Sequence, residues 1–111
     1  MGALNRAKVR ADFAAAVNMD ADELAAWLDT PESRRVGQKV AGGESIGHAS
    51  GRRIVAILRS DQAELSDDDY AHMRKVVGFI ARHRAQQPDN MVTSRWRYSL
   101  MNWGHDPISL R

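Results

Sequence analysis

From Ser66 to Ile80 the chain reads SDDDYAHMRKVVGFI, a helix start followed at once by the stripe it would bury. Ser66 offers a side-chain oxygen to an open backbone N–H, and Asp67, Asp68 and Asp69 fall where the helix dipole leaves partial positive charge. Tyr70, Met73, Val76, Val77 and Ile80 then recur with a period near 3.6, which a helix turns onto one face. The spacing predicts the longest helix of the chain here, ending before Pro88. No segment alternates apolar and polar residues long enough to argue a strand, so this helix has to bury its stripe against other helices.

Those partners are legible from the same two signals. Val9, Phe13, Ala16 and Val17 share one face of a helix over roughly Arg6 to Val17. Asp20, with Glu23 three residues on, has capping-box spacing and opens a helix that turns Leu24, Trp27 and Leu28 inward. Thr30-Pro31 starts a short helical turn, threonine at the cap and proline at the first helical position. A fourth helix is expected from about His48 or Ser50 to Ser60, with Ile54, Ile57 and Leu58 inward. The last begins at Thr93 or Ser94, carries Trp96, Leu100 and Trp103 on one face, and stops at Gly104. The expected fold is all-α: one compact domain over residues 1–111, a bundle of five to six short helices with a glycine-rich loop at about 37–47.

At 111 residues the chain can bury a modest core, and 43% hydrophobic residues argue against wholesale disorder. There is no cysteine, which excludes disulfides, thiolate metal sites and cysteine nucleophiles and suits a reducing cytoplasm. No apolar run approaches the ~20 residues that span a bilayer, and the start MGALNRAKVRADF lacks the apolar stretch of a signal peptide. A soluble cytoplasmic protein with no membrane partner is expected.

The stretch from Gly42 to Arg59, GGESIGHASGRRIVAILR, points most clearly at chemistry. A glycine-rich loop runs into an amphipathic helix whose first turn would hold Arg52 and Arg53. The first N–H groups of a helix lack intrahelical acceptors, and forked guanidinium donors match phosphate. Arg34, Arg35 and Lys39 extend this basic stretch between two acidic ones, Asp20 to Glu32 and Asp61 to Asp69. A basic island with acidic flanks is an electrostatic footprint for a polyanion, and the same alternation also complements helix dipoles.

Other constellations fall short of the chemistry they suggest. His72 and His83 lie eleven residues apart on one helix, too far for one ion, and no HExxH motif accompanies them. Asp67, Asp68 and Asp69 point in different directions and lack the pattern of a calcium loop. Ser45, His48 and Ser50 supply a nucleophile and a base without a GxSxG elbow, and the glycines do not form GxxxxGK[ST]. An enzyme, a metal site and a cofactor are therefore not expected. Trp96, Arg97, Tyr98 and Trp103 interleave aromatics with arginine as single-strand binders do. Trp96 and Trp103 are read as core, leaving Arg97 and Tyr98 available to a partner.

Four blocks carry a resemblance: LDTPESRRVGQK from Leu28, GESIGHASGRRIVAILR from Gly43, DDDYAHMRKVVGFI from Asp67 and RWRYSLMNWGHDP from Arg95. Together they resemble a family of short bacterial proteins of unknown function, often loosely labelled DNA-binding. ELAAWL and SGRRIVAIL look in addition like the two helices of a SAP-type DNA-binding module, whose polar-glycine turn would match Ser50, Gly51, Arg52 and Arg53. About twenty residues separate the two helices here, where that module has a much shorter link.

The function expected is DNA binding, mostly through phosphates and with little sequence discrimination, in a chromosome-associated or repair-accessory role. Arg52 and Arg53 would touch phosphates, the N–H groups around Ser50 and Gly51 would support them, and Arg34, Arg35 and Lys39 would widen the patch. The alternative is a protein–protein interaction module or homo-oligomer that binds no nucleic acid. In that case Arg52 and Arg53 pair with the Asp67–Asp69 cluster of the same or another chain.

Overall fold

The structure, a computed structural model, describes residues 5–37, 39 and 43–108. Each helix in it opens on a side-chain cap. Asn5 accepts from Lys8 N at the head of α1 (Arg6–Ala16), and Asp20 and Glu23 close a reciprocal capping box on α2 (Ala21–Leu28). Thr30 caps the short α3 (Pro31–Arg35), with proline in the first turn. Ser45 caps α4 (Ile46–Arg59), Ser66 forms a second capping box with Asp69 on α5 (Asp67–Arg84), and Ser94 caps α6 (Arg95–Asn102). Each such cap satisfies an N–H that would otherwise lack a partner and contributes ~1 kcal/mol. A 3₁₀ turn at Gln62–Glu64 links α4 to α5. The described residues contain no strand, only an isolated bridge between Lys39 and Ser45.

The helices pair by their stripes. α1 lies along α5, α2 along α4, and α6 touches α2, α3, α4 and α5. The resulting core holds Phe13, Leu24, Ile54, Tyr70, Met73, Val76, Ile80, Leu100 and Trp103. Leu24, Ile54, Val76 and Leu100 are completely enclosed, each worth ~1.5–3 kcal/mol of transfer from water. Trp27, Val77 and Trp96 are only partly buried against this core.

A polar knot ties α6 to α2 and α3. The fully buried Asn102 accepts at Oδ1 from Trp27 Nε1–H (2.8 Å) and from the Ser33 hydroxyl, and donates from Nδ2 to the Ser33 carbonyl (3.0 Å). All three elements must be in place for these groups to be satisfied. Beyond α6, Gly104 turns the chain at φ +85°, a left-handed conformation that glycine adopts without penalty. The Asn18 side chain then clamps the backbone of Asp106, donating to its carbonyl (2.9 Å) and accepting from its N–H (2.8 Å).

Two expectations are corrected. Leu58, read as inward, is 37% exposed, whereas Ile54 and Ile57 are buried. The fourth helix starts at Ile46, earlier than His48 or Ser50. Of the glycine-rich loop expected at 37–47, residues 38 and 40–42, Gly42 among them, lie outside the described residues.

Candidate nucleic-acid interface

Because α4 starts at Ile46, Ser50 to Arg53 sit beyond its first turn rather than opening it. Ser50 and Gly51 are buried, and their N–H groups fall within the helix's own hydrogen-bond ladder. The Ser50 hydroxyl lies 2.9 Å from His72 Nε2 on α5. Gly51 faces the Asn102 carbonyl and Leu28. It marks a close approach to two neighbouring helices. The expected anion cradle at Ser50 and Gly51 is therefore not assembled, nor is the SAP-type placement of these residues in a turn before the helix.

Arg52 and Arg53 leave α4 in different directions, and each meets a carboxylate. Arg52 donates from Nε (2.7 Å) and Nη2 (2.5 Å) to Glu44, a forked pair. The Arg52 guanidinium and the His48 imidazole together hold the Glu44 carboxyl down at about 2, from an ordinary 4.5. Arg53 reaches Asp69 at 3.3 Å across to α5. Asp69 is held below the usual carboxylate range, first by the Ser66 N–H of the capping box and then by Arg53. Of the two arginines, Arg53 alone thus pairs within the Asp67–Asp69 cluster, where Asp67 takes Arg6 from α1.

The structure does gather Arg34, Lys39 and Arg52 on one side, around two cavities that His48 shares. Carboxylates punctuate this side too: Arg34 pairs with Asp29 at 2.8 Å, beside the Arg52–Glu44 pair. His48 bonds Glu44 through Nδ1 and donates from Nε2–H to the Leu28 carbonyl (2.7 Å). It is a strut between the head of α4 and the end of α2, and no base for Ser45, whose hydroxyl caps the helix. Arg35 is exposed at the end of α3.

Arg97 and Tyr98, expected to be available to a partner, are both engaged. Arg97 grips the Asp106 carboxylate with two bonds of 3.1 Å and donates to the Val92 carbonyl. Tyr98 packs tilted on Trp27, with ring centroids 5.3 Å apart. Burial holds Asp106 up, but Arg97 wins and its carboxyl stays below the usual range.

A different set of cations carries uncompensated charge. Among the described residues, Arg10, Arg35, Lys39, Arg74, Lys75, Arg82, Arg84 and Arg95 make no ion pair, Arg10 donating instead to the Tyr70 hydroxyl (2.9 Å). Five of the eight lie on α5 or at the head of α6. The linear signal was present: Tyr70 to His105 contains six lysines and arginines against Asp89 alone. What spacing does not reveal is that this run surrounds a groove. One cavity of about 280 Å³ is lined by Ile46, Gly47, Lys75, Phe79, Arg82 and Trp103, and an adjoining one of about 300 Å³ by His83, Gln86, Arg95 and Trp96. Gly37 and Ser99 line both, so the two lie side by side.

The floor of the groove is aromatic and fixed. Phe79 stacks on Trp103 with centroids 4.2 Å apart and planes 14° from parallel. His83 stacks on Phe79 at 4.9 Å, and Trp96 is pinned by donating Nε1–H to the His83 carbonyl (2.6 Å). Burial depresses the basicity of His83, keeping this ring neutral near pH 7.

No group of three or more metal-ligating side chains converges among the described residues, and no described helix is long and apolar enough to cross a membrane. Comparisons with curated proteins and with solved structures return no match. One family matches residues 12–101, most of the chain, and the chain therefore belongs to the family described as "Protein of unknown function (DUF3140)".

Proposed function

We propose that this protein binds DNA through backbone phosphates with little sequence discrimination, using the cationic face of α5 and α6 rather than Arg52 and Arg53. The observation that carries the reading is the distribution of unpaired charge. Lys75, Arg82 and Arg95 line one groove without carboxylate partners among the described residues, whereas Arg52 and Arg53 are already neutralised. Unpaired cations on one face release counterions when they meet phosphate, and such contacts position a protein without reading bases.

The test is a titration of unrelated DNA duplexes at several salt concentrations. Lys75→Ala/Arg82→Ala/Arg95→Ala is expected to weaken binding alike for all sequences. It should flatten the slope of log K against log salt by up to ~2.7, about 0.9 per contact. Arg52→Ala/Arg53→Ala should keep the slope. Absence of binding at low salt, or a triple variant with the wild-type slope, would overturn the proposal.

A second reading is an interaction module for protein partners that binds no nucleic acid. The closure of Arg52 on Glu44 and of Arg53 on Asp69 supports it, because both arginines then serve the chain's own packing. It predicts no salt-dependent DNA binding.

A further inference from the structure

We infer that the cavity at the head of α4 seats a terminal phosphate, the phosphomonoester at an end of a DNA strand. Its donors are the indole N–H of Trp103, the first N–H groups of α4, and the cations of Lys75 and Arg82. This inference rests on the phosphate-binding reading above and adds which phosphate the site selects.

The leading observation is an indole donor without an acceptor. Trp27 donates Nε1–H to Asn102 and Trp96 donates to the His83 carbonyl, whereas Trp103 Nε1–H meets no acceptor among the described residues. Trp103 is only 4% exposed, and polar groups in side chains so enclosed are ordinarily hydrogen-bonded. Among the described residues, the fully enclosed side-chain nitrogens that lack a partner are His83 Nε2 and His105 Nε2, so Trp103 Nε1 keeps contact with open space. The cavity of about 280 Å³ is the space that Trp103 lines. His72 and Phe79 already stack on the indole, which leaves its edge, not its face, to a ligand.

That edge meets the start of α4. A Cβ added at Gly47 would lie 3.0 Å from Trp103 Nε1, so no side chain separates the indole nitrogen from the helix head. Ser45 accepts the His48 N–H at its hydroxyl and the Ala49 N–H at its carbonyl. The N–H groups of Ile46 and Gly47 are left without an acceptor in the helix, and both residues line the same cavity. This is one turn earlier than the helix start that the sequence suggested for Ser50 and Gly51.

The charge on the cavity selects the ligand. Lys75 and Arg82 line it from α5, and neither has a carboxylate partner among the described residues. Two full positive charges and several neutral N–H donors suit a dianion with several oxygens. A phosphomonoester carries about −1.5 to −2 near pH 7 on three acceptor oxygens. A phosphate inside a strand carries a single charge, and its two ester chains must both leave a recessed site. A carboxylate lacks the second charge and the third oxygen.

The experiment uses the full chain and three duplexes of one sequence and length, ending in a 5′-phosphate, a 3′-phosphate or hydroxyls alone. Anisotropy at constant ionic strength reports binding. One phosphorylated duplex should bind about tenfold or more tightly than the hydroxyl-ended one, and inorganic phosphate should erase that excess. Trp103→Phe keeps a ring and removes the N–H, while Lys75→Gln/Arg82→Gln removes two exposed charges. Each variant should cut the ratio between phosphorylated and hydroxyl ends by about threefold or more. Equal affinity for all three duplexes would overturn the inference and leave binding along the backbone standing. Equal affinity with a saturable response of tryptophan emission to inorganic phosphate would assign the cavity to free phosphate and overturn the DNA-end inference as well. A ratio unchanged in the double variant, or in a folded Trp103→Phe, would overturn the assigned pocket. Failure of every duplex to bind at low salt would instead overturn the DNA-binding reading itself. The comparison of ends uses the wild-type protein and the double variant changes only exposed side chains, so both decide the matter even if Trp103→Phe folds poorly.

Discussion

A Cβ added at Gly51 would sit 2.5 Å from the Asn102 carbonyl oxygen and 2.6 Å from Leu28 Cδ2. Leu28 could adjust its rotamer, but the carbonyl belongs to the end of α6 and can retreat only if that helix shifts. Alanine has better helix propensity than glycine by about 1 kcal/mol, so on local grounds Gly51→Ala should stabilise α4. The steric term is larger and of opposite sign. Overpacking of this kind costs about 1–3 kcal/mol even after relaxation, and the backbone contact removes the cheapest relaxation. The variant is expected to lower the urea midpoint by that net amount. An unchanged or raised midpoint would mean that α4 and α6 can separate there at no cost.

At the scale of helices, α6 shows why short elements need tertiary partners. Eight residues are too few for a stable isolated helix, and Arg95–Asn102 holds its place because Leu100 and the adjoining Trp103 are buried. Trp103 is 4% exposed and packs on Phe79, so Trp103→Ala should cost ~3–5 kcal/mol. A loss below about 1 kcal/mol would mean the stack can close over the gap. Helix starts were readable wherever a cap and an acidic first turn stood together, as at Asp20 and Ser66. The start of α4 was misread because Gly43 and Gly47 flank its cap, and glycine density normally marks a loop. The reason for Gly47 is non-local: a Cβ there would lie 3.0 Å from Trp103 Nε1, so any larger residue at the helix head presses on the indole. The 3₁₀ turn at Gln62–Glu64 left no comparable mark, since its Asp61 cap makes no side-chain bond.

Across the whole molecule, charge is sorted by pairing, and pairing is what a linear reading cannot supply. Arg52 finds Glu44 eight positions back and Arg53 finds Asp69 sixteen positions on, while the equally basic run around Arg82 meets almost no acid. The same sorting, applied to buried bases, gives the molecule its pH response. His72, His83 and His105 all have their basicity depressed below 6.5, in each case first by burial. His105 is the most enclosed: 6% exposed, with Nδ1–H donated to the Ala16 carbonyl (2.7 Å) and a buried Nε2 that has no partner among the described residues. Arg84 further opposes a charge on His105, while Asp106 favours one. A base depressed in the folded state takes up its proton more readily when unfolded. Its contribution to stability is therefore complete above 6.5 and declines as the pH falls below it. Glu44 adds a second decline, from 4.5 toward its folded value of about 2, where the Arg52 and His48 contacts lose their carboxylate. The wild-type protein should thus start to lose stability near pH 6.5, well before its carboxylates titrate. His105→Gln keeps a donor for the Ala16 carbonyl and cannot be protonated. Its stability should fall less steeply than wild type between pH 6.5 and 5, the difference reaching at most ~1.4 kcal/mol per pH unit for one group. Chemical denaturation at closely spaced pH values measures both slopes, and identical slopes would show that His105 accepts its proton in the folded state without cost.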